Sequence, residues 1–267
     1  MKKCSVFFPL ILLLILCQPT PETGRRQLNL VSEEELFKLS FEQYQEYLNT
    51  HEVITGTEDA ELVKSVGSNI QKAFEQYYKD NPEKLKRYRW EFNLIEDTAI
   101  NAFAMPGGKV AVLSPILLVT QNAAGLAFVV GHEAAHSVAN HANERLSQLL
   151  IAELGGMVLS EALQKQPQKT RELALAAYGL GAQVGIILPY SRIQEEEADR
   201  LGLIFMAMAG YDPEESIGFL ERMMEIQKGQ QPPEFLSTHP AEENRIEEIK
   251  KLLPEARKYY RNPEQEG

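Results

Sequence analysis

The sequence predicts an α+β fold that is mostly helical and carries one small antiparallel sheet. Three observations lead to this prediction. Apolar residues recur at helical spacing in residues 32–49 and again in residues 58–79. Two short apolar runs flank a Pro-Gly-Gly turn at 106–108, which is typical of a hairpin. A long apolar segment at 122–145 contains no proline, and it is typical of a buried helix.

The first 17 residues have the pattern of a secretory signal peptide. Lys2 and Lys3 precede an apolar run that ends at Cys17, and this run is short for a membrane-spanning helix. Cys17 could be lipidated as in a bacterial lipoprotein, although Leu16 stands where such signals carry a small residue. We therefore expect an exported protein of the bacterial periplasm or cell envelope that could be lipid-anchored.

Residues 18–50 are predicted to form a polar tether followed by an amphipathic helix, and residues 51–260 are predicted to form the main domain. Alternating apolar residues at 88–95 predict the first strand of the sheet, and residues 100–104 and 109–113 predict the hairpin. Both cysteines lie in the leader, so the rest of the chain has no disulfide. The formal net charge of −11 argues against nucleic acid as a partner.

The most informative motif is the His-Glu-Ala-Ala-His sequence at 132–136, which is an H-E-x-x-H pattern. Residues four apart share one side of a helix, so His132 and His136 could bind one zinc ion at about 2.0–2.1 Å. Glu133 could then act as the general base toward a zinc-activated water. The alternative is a helix in which two histidines meet by chance, but buried polar groups need partners. The motif predicts one Zn²⁺ per chain.

A catalytic zinc needs a third protein ligand. A metzincin would place Gly at 139 and His at 142, and this chain has Ala139 and Ala142 instead. Further along the chain, Glu195 and Asp199 stand four residues apart and would share a helix face. We predict that Glu195 binds the metal. Asp199 is predicted to accept the free N–H of a ligating histidine, which fixes the imidazole tautomer.

Other polar residues near these motifs have less specific interpretations. His141 is out of register with the motif and is predicted to lie on a polar helix face, with an outer role toward the metal as the alternative. Glu196 is predicted to lie on a solvated face. Glu197 either shares that face or pairs with Arg192 or Arg200.

Several motifs together resemble those of a known family. Their order is Gly-His-Glu-Ala-Ala-His at 131–136, Pro-Tyr-Ser-Arg at 189–192, Glu195 with Asp199, and Ser-Thr-His-Pro at 237–240. From about residue 50 to 255 the chain resembles the soluble, BepA-like branch of the HtpX and CAAX-prenyl-protease family of zinc metallopeptidases. The resemblance implies a zincin-like domain of the gluzincin type, in which His132, His136 and Glu195 bind zinc. Glu133 would be the catalytic base.

The resemblance also implies a catalytic role for His239, near the metal and in contact with substrate. Pro240 disfavours helix at His239, so this histidine is predicted to lie in a loop. Its imidazole could donate a hydrogen bond to the oxyanion of the reaction. It could instead occupy the open metal position at rest, or it could be a surface residue of a helix-capping loop. Arg245 belongs to the same implied motif, but alone it has the pattern of an ordinary helix-face cation.

The first hairpin strand has a possible role in substrate binding. Peptidases of this type hold an extended substrate against a sheet edge through main-chain hydrogen bonds. The strand contains small residues that would let a peptide approach closely, and the resemblance supports this edge as the binding surface. The alternative is an ordinary hairpin packed on the core. The predicted substrate-binding residues are Asn101, Ala102, Phe103 and Ala104.

Two apolar segments, residues 149–159 and 173–190, predict a helical hairpin between the helices that carry the zinc ligands. The second segment has no charged residue and nearly reaches the length of a membrane helix. Its glycines and Gln183 favour a buried or membrane-facing helix in a soluble domain. Membrane association could therefore arise from lipidated Cys17 or from this hairpin.

These features predict an exported zinc-dependent endopeptidase that acts on polypeptides. The resemblance implies misfolded or misassembled envelope or outer-membrane proteins as its substrates. Two alternatives remain, namely a holdase or assembly factor with slow or gated proteolysis, and a purely structural metal site. Glu133 separates the structural site from the enzyme, because a structural zinc site has no use for a base.

Overall fold

The computed structural model describes most of the chain, namely residues 17–20, 23–162, 191–228, 233–239 and 244–260. The predicted leader up to residue 16 lies outside these ranges. The second apolar segment of the predicted hairpin, residues 173–190, lies outside them as well.

Helices make up most of the described residues, and several of them contact a four-stranded sheet. In chain order the helices are α1 (Glu33–Thr50), α2 (Glu58–Tyr77), α3 (Pro82–Arg87), a 3₁₀ turn (Ser114–Ile116), α4 (Leu117–Thr120), α5 (Ala123–Val138), α6 (His141–Ala162), α7 (Arg192–Met208), α8 (Glu215–Gln227), α9 (Glu234–Thr238) and α10 (Arg245–Ala256). The strands are β1 (Cys17–Pro19), β2 (Arg26–Leu28), β3 (Val53–Ile54), β4 (Glu91–Ile95), β5 (Ala102–Met105) and β6 (Lys109–Leu113). The predicted mostly helical α+β class is confirmed.

The predicted hairpin is confirmed, and it forms one side of the sheet. Strands β5 and β6 pair in antiparallel fashion around Gly107 and Gly108, whose φ angles of 84° and 92° favour glycine. The strand order is β3-β4-β6-β5, so β5 is an edge strand. The sheet is mixed rather than wholly antiparallel, because β4 and β6 run parallel with Phe92 opposite Val110. Alternating residues reveal the strands but not their neighbours, so the sequence did not show this pairing.

The two predicted amphipathic helices are confirmed as α1 and α2, and each begins at a capping residue. The Ser32 hydroxyl accepts a hydrogen bond from the backbone N–H of Glu35, and Thr57 caps α2 through the N–H of Ala60. Such caps satisfy N–H groups that have no partner within the helix. These contacts fix where both helices start.

The segment 122–145, predicted as one helix, is two helices. Helix α5 ends at Val138 with Ala139 as its C-cap, and Asn140 takes a left-handed conformation with φ of 58° before α6 begins. Asparagine tolerates this conformation better than most residues because its short side chain can hydrogen-bond locally. The chain therefore changes direction directly after the H-E-x-x-H motif, and the single-helix prediction is wrong.

Helices α5 and α7 pack closely through a pair of glycines at the centre of the core. A Cβ atom on Gly202 would lie 2.8 Å from the backbone nitrogen of His132, and one on Gly131 would lie 2.9 Å from the carbonyl oxygen of Gly202. Only glycine leaves room for such an approach. The contact brings the two ligand-bearing helices together beside the predicted zinc residues.

Strand β2 and the segment between it and α1 are hydrogen-bonded to the rest of the domain. Gln27 donates from its side-chain nitrogen to the carbonyl oxygen of Ala139 at 2.7 Å, and the Leu30 N–H donates to Ser147 at 2.8 Å. Asn143 of α6 donates to the Val31 carbonyl at 2.7 Å. These contacts hold the segment against the turn that follows the H-E-x-x-H helix.

No helix within the described ranges is both long enough and apolar enough to cross a bilayer.

Candidate active site

Four buried side chains from three parts of the fold meet at one point. Helix α5 contributes His132 and His136, α7 contributes Glu195 from its first turn, and His239 directly follows α9. Each offers one ligand atom, and these atoms all lie within 4.8 Å of one another. The structure therefore brings together the three predicted zinc ligands and the predicted loop histidine.

Four of the separations between the ligand atoms are close to those of a tetrahedral metal site. His132 Nε2 lies 3.0 Å from His136 Nε2 and 3.2 Å from His239 Nδ1. Glu195 Oε1 lies 3.2 Å from His136 Nε2 and 3.1 Å from His239 Nδ1. Zinc bound tetrahedrally at about 2.1 Å holds its ligand atoms about 3.4 Å apart. The nitrogen and oxygen donors present are ones that zinc accepts.

Two carboxylate oxygens at this point are buried and lack a hydrogen-bond partner among the described residues. They are Glu133 Oε1 and Glu195 Oε2, whose basic neighbours His239 and Arg245 lie 3.3 and 3.2 Å away without hydrogen-bonding geometry. Buried polar atoms are normally satisfied, so an exception at a cluster of donors indicates a missing ion or water. The residues present therefore fit one zinc ion.

Glu133 lies beside the cluster and contacts the edge strand of the sheet. Its Oε2 accepts a hydrogen bond of 3.1 Å from the backbone N–H of Ala104, and its Oε1 lies 3.3 Å from His239 Nε2. Burial raises the pKa of the Glu133 carboxyl, while the neighbouring His239 and His132 oppose this effect. A raised pKa suits a carboxylate that accepts and returns a proton near neutral pH.

His132 is supported from behind by a carboxylate and a buried arginine. Asp199 Oδ1 lies 2.9 Å from His132 Nδ1, and Arg245 donates to both Asp199 oxygens at 2.8 and 2.9 Å. Arg245 Nη1 also lies 3.2 Å from Glu195 Oε2. Burial would raise the pKa of Glu195, but Arg245, His132 and His239 hold it well below its usual value. The interpretation of Arg245 as an ordinary helix-face cation is wrong, since its side chain is buried.

His141 belongs to the site, although the sequence predicted it on a polar helix face. It is fully buried, and its Nδ1 lies 2.9 Å from His136 Nδ1. On an unbroken helix a residue five positions later points away from His136. The turn at Asn140 brings it back, so the predicted position on a polar helix face is incorrect. Asn140 itself was the signal that could have indicated a break.

The neighbouring acidic residues Glu196 and Glu197 of α7 differ in burial. Glu196 is exposed, as predicted, whereas Glu197 is buried. Glu197 contacts His141, Thr23 and Arg25 through its side-chain oxygens. Among the described residues, Glu197 forms no ion pair with Arg192 or Arg200, the partners that the sequence suggested. Arg25 of the N-terminal segment supplies the cation instead.

The predicted substrate strand lies next to the cluster. Asn101 donates from its side chain to Glu234 at 3.0 Å, and the Phe235 N–H donates to the Ile100 carbonyl at 3.1 Å. These bonds tie the start of β5 to α9, which carries His239. The Ala102 side chain is buried, and the Phe103 ring packs edge-on against Tyr47. Side chains of this strand therefore pack within the domain, and its outer backbone faces Glu133.

The centre is closed to solvent in this structure. The exposed fraction is at most 5% for each of His132, Glu133, His136, Glu195 and His239. A cavity of about 1070 Å³ lies instead between α1 and residues 86–89, and none of the cluster residues lines it.

Two histidines from an H-E-x-x-H helix and an acid from a second helix are the ligand set of a class of zinc peptidases. Comparison with known proteins agrees with this class. The sequence model of Peptidase family M48 matches residues 66–253, and the chain belongs to this family. M48 peptidases use zinc, and the cluster can hold one ion per chain.

The chain is similar to curated proteins of two kinds, mitochondrial metalloendopeptidases and beta-barrel assembly-enhancing proteases. It is 39% identical to the mitochondrial metalloendopeptidase OMA1 of Saccharomyces cerevisiae, over 71% of this chain and 55% of the relative. It is 30% identical to the mitochondrial metalloendopeptidase OMA1 of Homo sapiens, over 90% of this chain and 46% of the relative. The beta-barrel assembly-enhancing protease of Yersinia pestis is 32% identical over 61% of this chain and 34% of its own length. The chain spans about half the length of the first two relatives.

These comparisons confirm the wider family and correct the predicted location. The expectation of an exported protein of a bacterial periplasm or cell envelope is wrong, because relatives at 39%, 36% and 30% identity are mitochondrial metalloendopeptidases. An apolar leader that follows two lysines is a general pattern. It did not by itself define a compartment.

Proposed function

We propose that this protein is a zinc-dependent endopeptidase. The observation that carries the proposal is the convergence of four buried ligand atoms beside Glu133 Oε1, a buried carboxylate oxygen without a hydrogen-bond partner among the described residues. A structural zinc site would not need a carboxylate in that position. Membership of Peptidase family M48 supports the same conclusion.

In this proposal His132, His136 and Glu195 hold the zinc ion. When bound there, zinc polarises the scissile carbonyl and lowers the pKa of a nearby water. Glu133 accepts a proton from the attacking water at Oε1 and later delivers it to the leaving nitrogen. Its Oε2 stays bonded to the Ala104 N–H, which orients the carboxylate for both transfers.

Asp199 and Arg245 position His132 for this task. The 2.9 Å contact with Asp199 keeps the proton of His132 on Nδ1, so the lone pair of Nε2 faces the other ligands. Arg245 holds Asp199 through two hydrogen bonds and neutralises its buried charge. Such outer partners orient a ligating histidine and make it more basic.

We infer that the substrate is an extended polypeptide that pairs with the outer edge of β5. The edge strand lies against the proposed base, and a peptide that adds to it places its backbone beside Glu133. The Yersinia pestis relative is named for β-barrel assembly, which supports proteins that assemble as β-barrels as a substrate class.

A second proposal concerns His239, whose Nδ1 lies among the ligand atoms. This nitrogen is 3.2 Å from His132 Nε2 and 3.1 Å from Glu195 Oε1. We propose that His239 Nδ1 would serve as a further ligand of the ion at rest, and that the imidazole withdraws when substrate enters. Of the three interpretations considered for this histidine, this is the one that its buried position among the ligand atoms favours.

The decisive experiment compares the parent chain with Glu133→Gln. Loss of the base should lower cleavage of unfolded casein by a factor of about 10²–10⁴, while zinc content measured by metal analysis stays at one per chain. A chelator should abolish the parent activity. A variant that cleaves as fast as the parent would overturn the assignment. If the parent chain bound unfolded casein without cleaving it, the result would favour the alternative of a holdase.

Substrate pairing with β5 is tested with modified peptides. N-methylation of a single backbone nitrogen removes one donor without changing any side chain. We expect the KM of a cleaved peptide to rise several-fold when the methyl group lies at alternate positions near the scissile bond, because alternate residues face the strand. Equal KM values at every methylated position would contradict pairing with this edge.

A further inference from the structure

The structure assigns to the N-terminal segment a part in the proposed metal centre. We propose that His141, Glu197 and Arg25 form a relay that positions His136, with each residue held by the next. His141 and Arg25 would be positioning residues, since neither belongs to the four ligands. This inference rests on the proposed zinc site.

The first link joins the two histidines. If His136 binds zinc through Nε2, its proton lies on Nδ1 and points at His141 Nδ1, 2.9 Å away. His141 Nδ1 must then accept, so the proton of His141 lies on Nε2. That nitrogen lies 3.2 Å from Glu197 Oε2, which can accept it. One set of tautomers therefore satisfies the whole chain of contacts.

The second link holds Glu197 in place. Arg25 donates from Nε and Nη2 to Glu197 Oε2, at 3.0 and 2.9 Å. The same guanidinium donates to both oxygens of Glu144 at 2.7 and 2.8 Å. Thr23 donates to the other oxygen of Glu197. A planar guanidinium that bridges two carboxylates is a more rigid support than a lysine would be.

The burial of the relay separates it from ordinary surface ion pairs. The His141 side chain is fully buried, and the side chains of Glu144 and Glu197 are each 7% exposed. Arg25, at 23% exposed, closes the outer end. Loss of one partner of a buried ion pair is costly, so the contact with Arg25 stabilises Glu197 in this position.

The relay matches the support behind the other ligating histidine. Asp199 and Arg245 hold His132 directly, and Glu197 and Arg25 hold His136 through one additional imidazole. The cations come from opposite ends of the chain. The metal centre would therefore depend on residues before α1, which lie outside the region that the family model matches.

The test measures zinc affinity by competition with a coloured chelator, using the full chain. His141→Leu removes the acceptor for His136, and we expect the zinc Kd to rise about 10–100-fold. His141→Gln offers an amide oxygen to His136 and an amide nitrogen to Glu197, so it should restore most of the affinity. Arg25→Ala should raise the Kd up to about tenfold. Arg26→Ala, on the exposed neighbouring arginine, is the matched control and should change nothing.

The outcomes are distinguishable from failure of the proposed function. Absence of zinc from the parent chain would overturn the zinc site itself. Zinc in the parent, with an unchanged Kd in both Arg25→Ala and His141→Leu, would overturn only the relay. If Arg25 and His141 only anchored the N-terminal segment, their substitution would lower the Tm of the metal-free protein and leave the zinc Kd unchanged. Arg25 is partly exposed, so its variant decides the question even where His141→Leu does not fold.

Discussion

At the scale of single residues, His239 connects the proposed metal ligands to the proposed base. Its Nδ1 lies 3.1 Å from Glu195 Oε1, and its Nε2 lies 3.3 Å from Glu133 Oε1. The ring stacks on Phe235 with centroids 4.7 Å apart. One imidazole thus separates the two carboxylates that the proposed reaction uses. It must move before a substrate carbonyl can reach the same point.

Replacement of His239 by alanine tests its role at rest. We expect basal cleavage of an unfolded peptide to rise at least about twofold, because a larger fraction of the enzyme has an open fourth position. Initial rates at saturating zinc measure this effect. A fall in kcat of about 100-fold would instead assign His239 to stabilisation of the oxyanion. Zinc content should be measured alongside, since the variant also loses one nitrogen donor.

At the scale of elements, the metal centre depends on how closely α5 and α7 approach. Gly131 and Gly202 allow backbone contact between the helices next to His132. Glu195 lies in the first turn of α7, where Ser191 and Gln194 form a capping box that fixes the start of the helix. The position of the acid ligand therefore follows from one helix start and one interhelix contact.

Gly202→Ala tests this contact. The new methyl group would meet backbone atoms of His132 at 2.8 and 2.9 Å, so the helices must separate. We expect the Tm to fall by about 2–10 °C, from an overpacking cost of about 1–3 kcal/mol. The zinc Kd should rise because Glu195 moves away from the histidines.

The matched control for this variant is Gly218→Ala in α8. Its new methyl group would meet the end of the Arg222 side chain at 3.1 Å and no backbone atom of a neighbouring element. A helix interior favours alanine over glycine, so the control should keep or raise the Tm. Equal effects of both substitutions on the Tm and the Kd would contradict a special role for the α5–α7 contact.

At the scale of the whole molecule, the proposed ion would join parts of the chain that are far apart in sequence. The ligands come from α5, α7 and the residue after α9, and they lie between positions 132 and 239. A metal that binds the folded state and not the unfolded chain stabilises the fold by mass action. The stability of the domain should therefore depend on free zinc.

Zinc removal is expected to lower the Tm by about 8–16 °C, relative to protein in zinc at about 1000 times its Kd. Differential scanning calorimetry with and without chelator measures the shift. Glu133→Gln should show the same shift, since Glu133 is not a proposed ligand. Glu195→Ala should lose most of it. A Tm that does not respond to zinc in the parent would contradict a bound ion at this point.

Much of the fold and the core of the site could be predicted from the sequence alone. The period of apolar residues determined α1 and α2, and the turn at Gly107 and Gly108 determined the hairpin. The four-residue spacing within the H-E-x-x-H helix placed two imidazoles side by side. These features depend on local geometry, which residues close together in the sequence determine.

Only the tertiary structure decided which distant residues meet. The parallel pairing of β4 with β6, the return of His141 onto His136 and the contact of Arg25 with Glu197 all join residues whose proximity no local period reveals. The reason is physical. Long-range partners are selected by burial and charge neutralisation across the core, and a turn of a single residue such as Asn140 redirects everything after it.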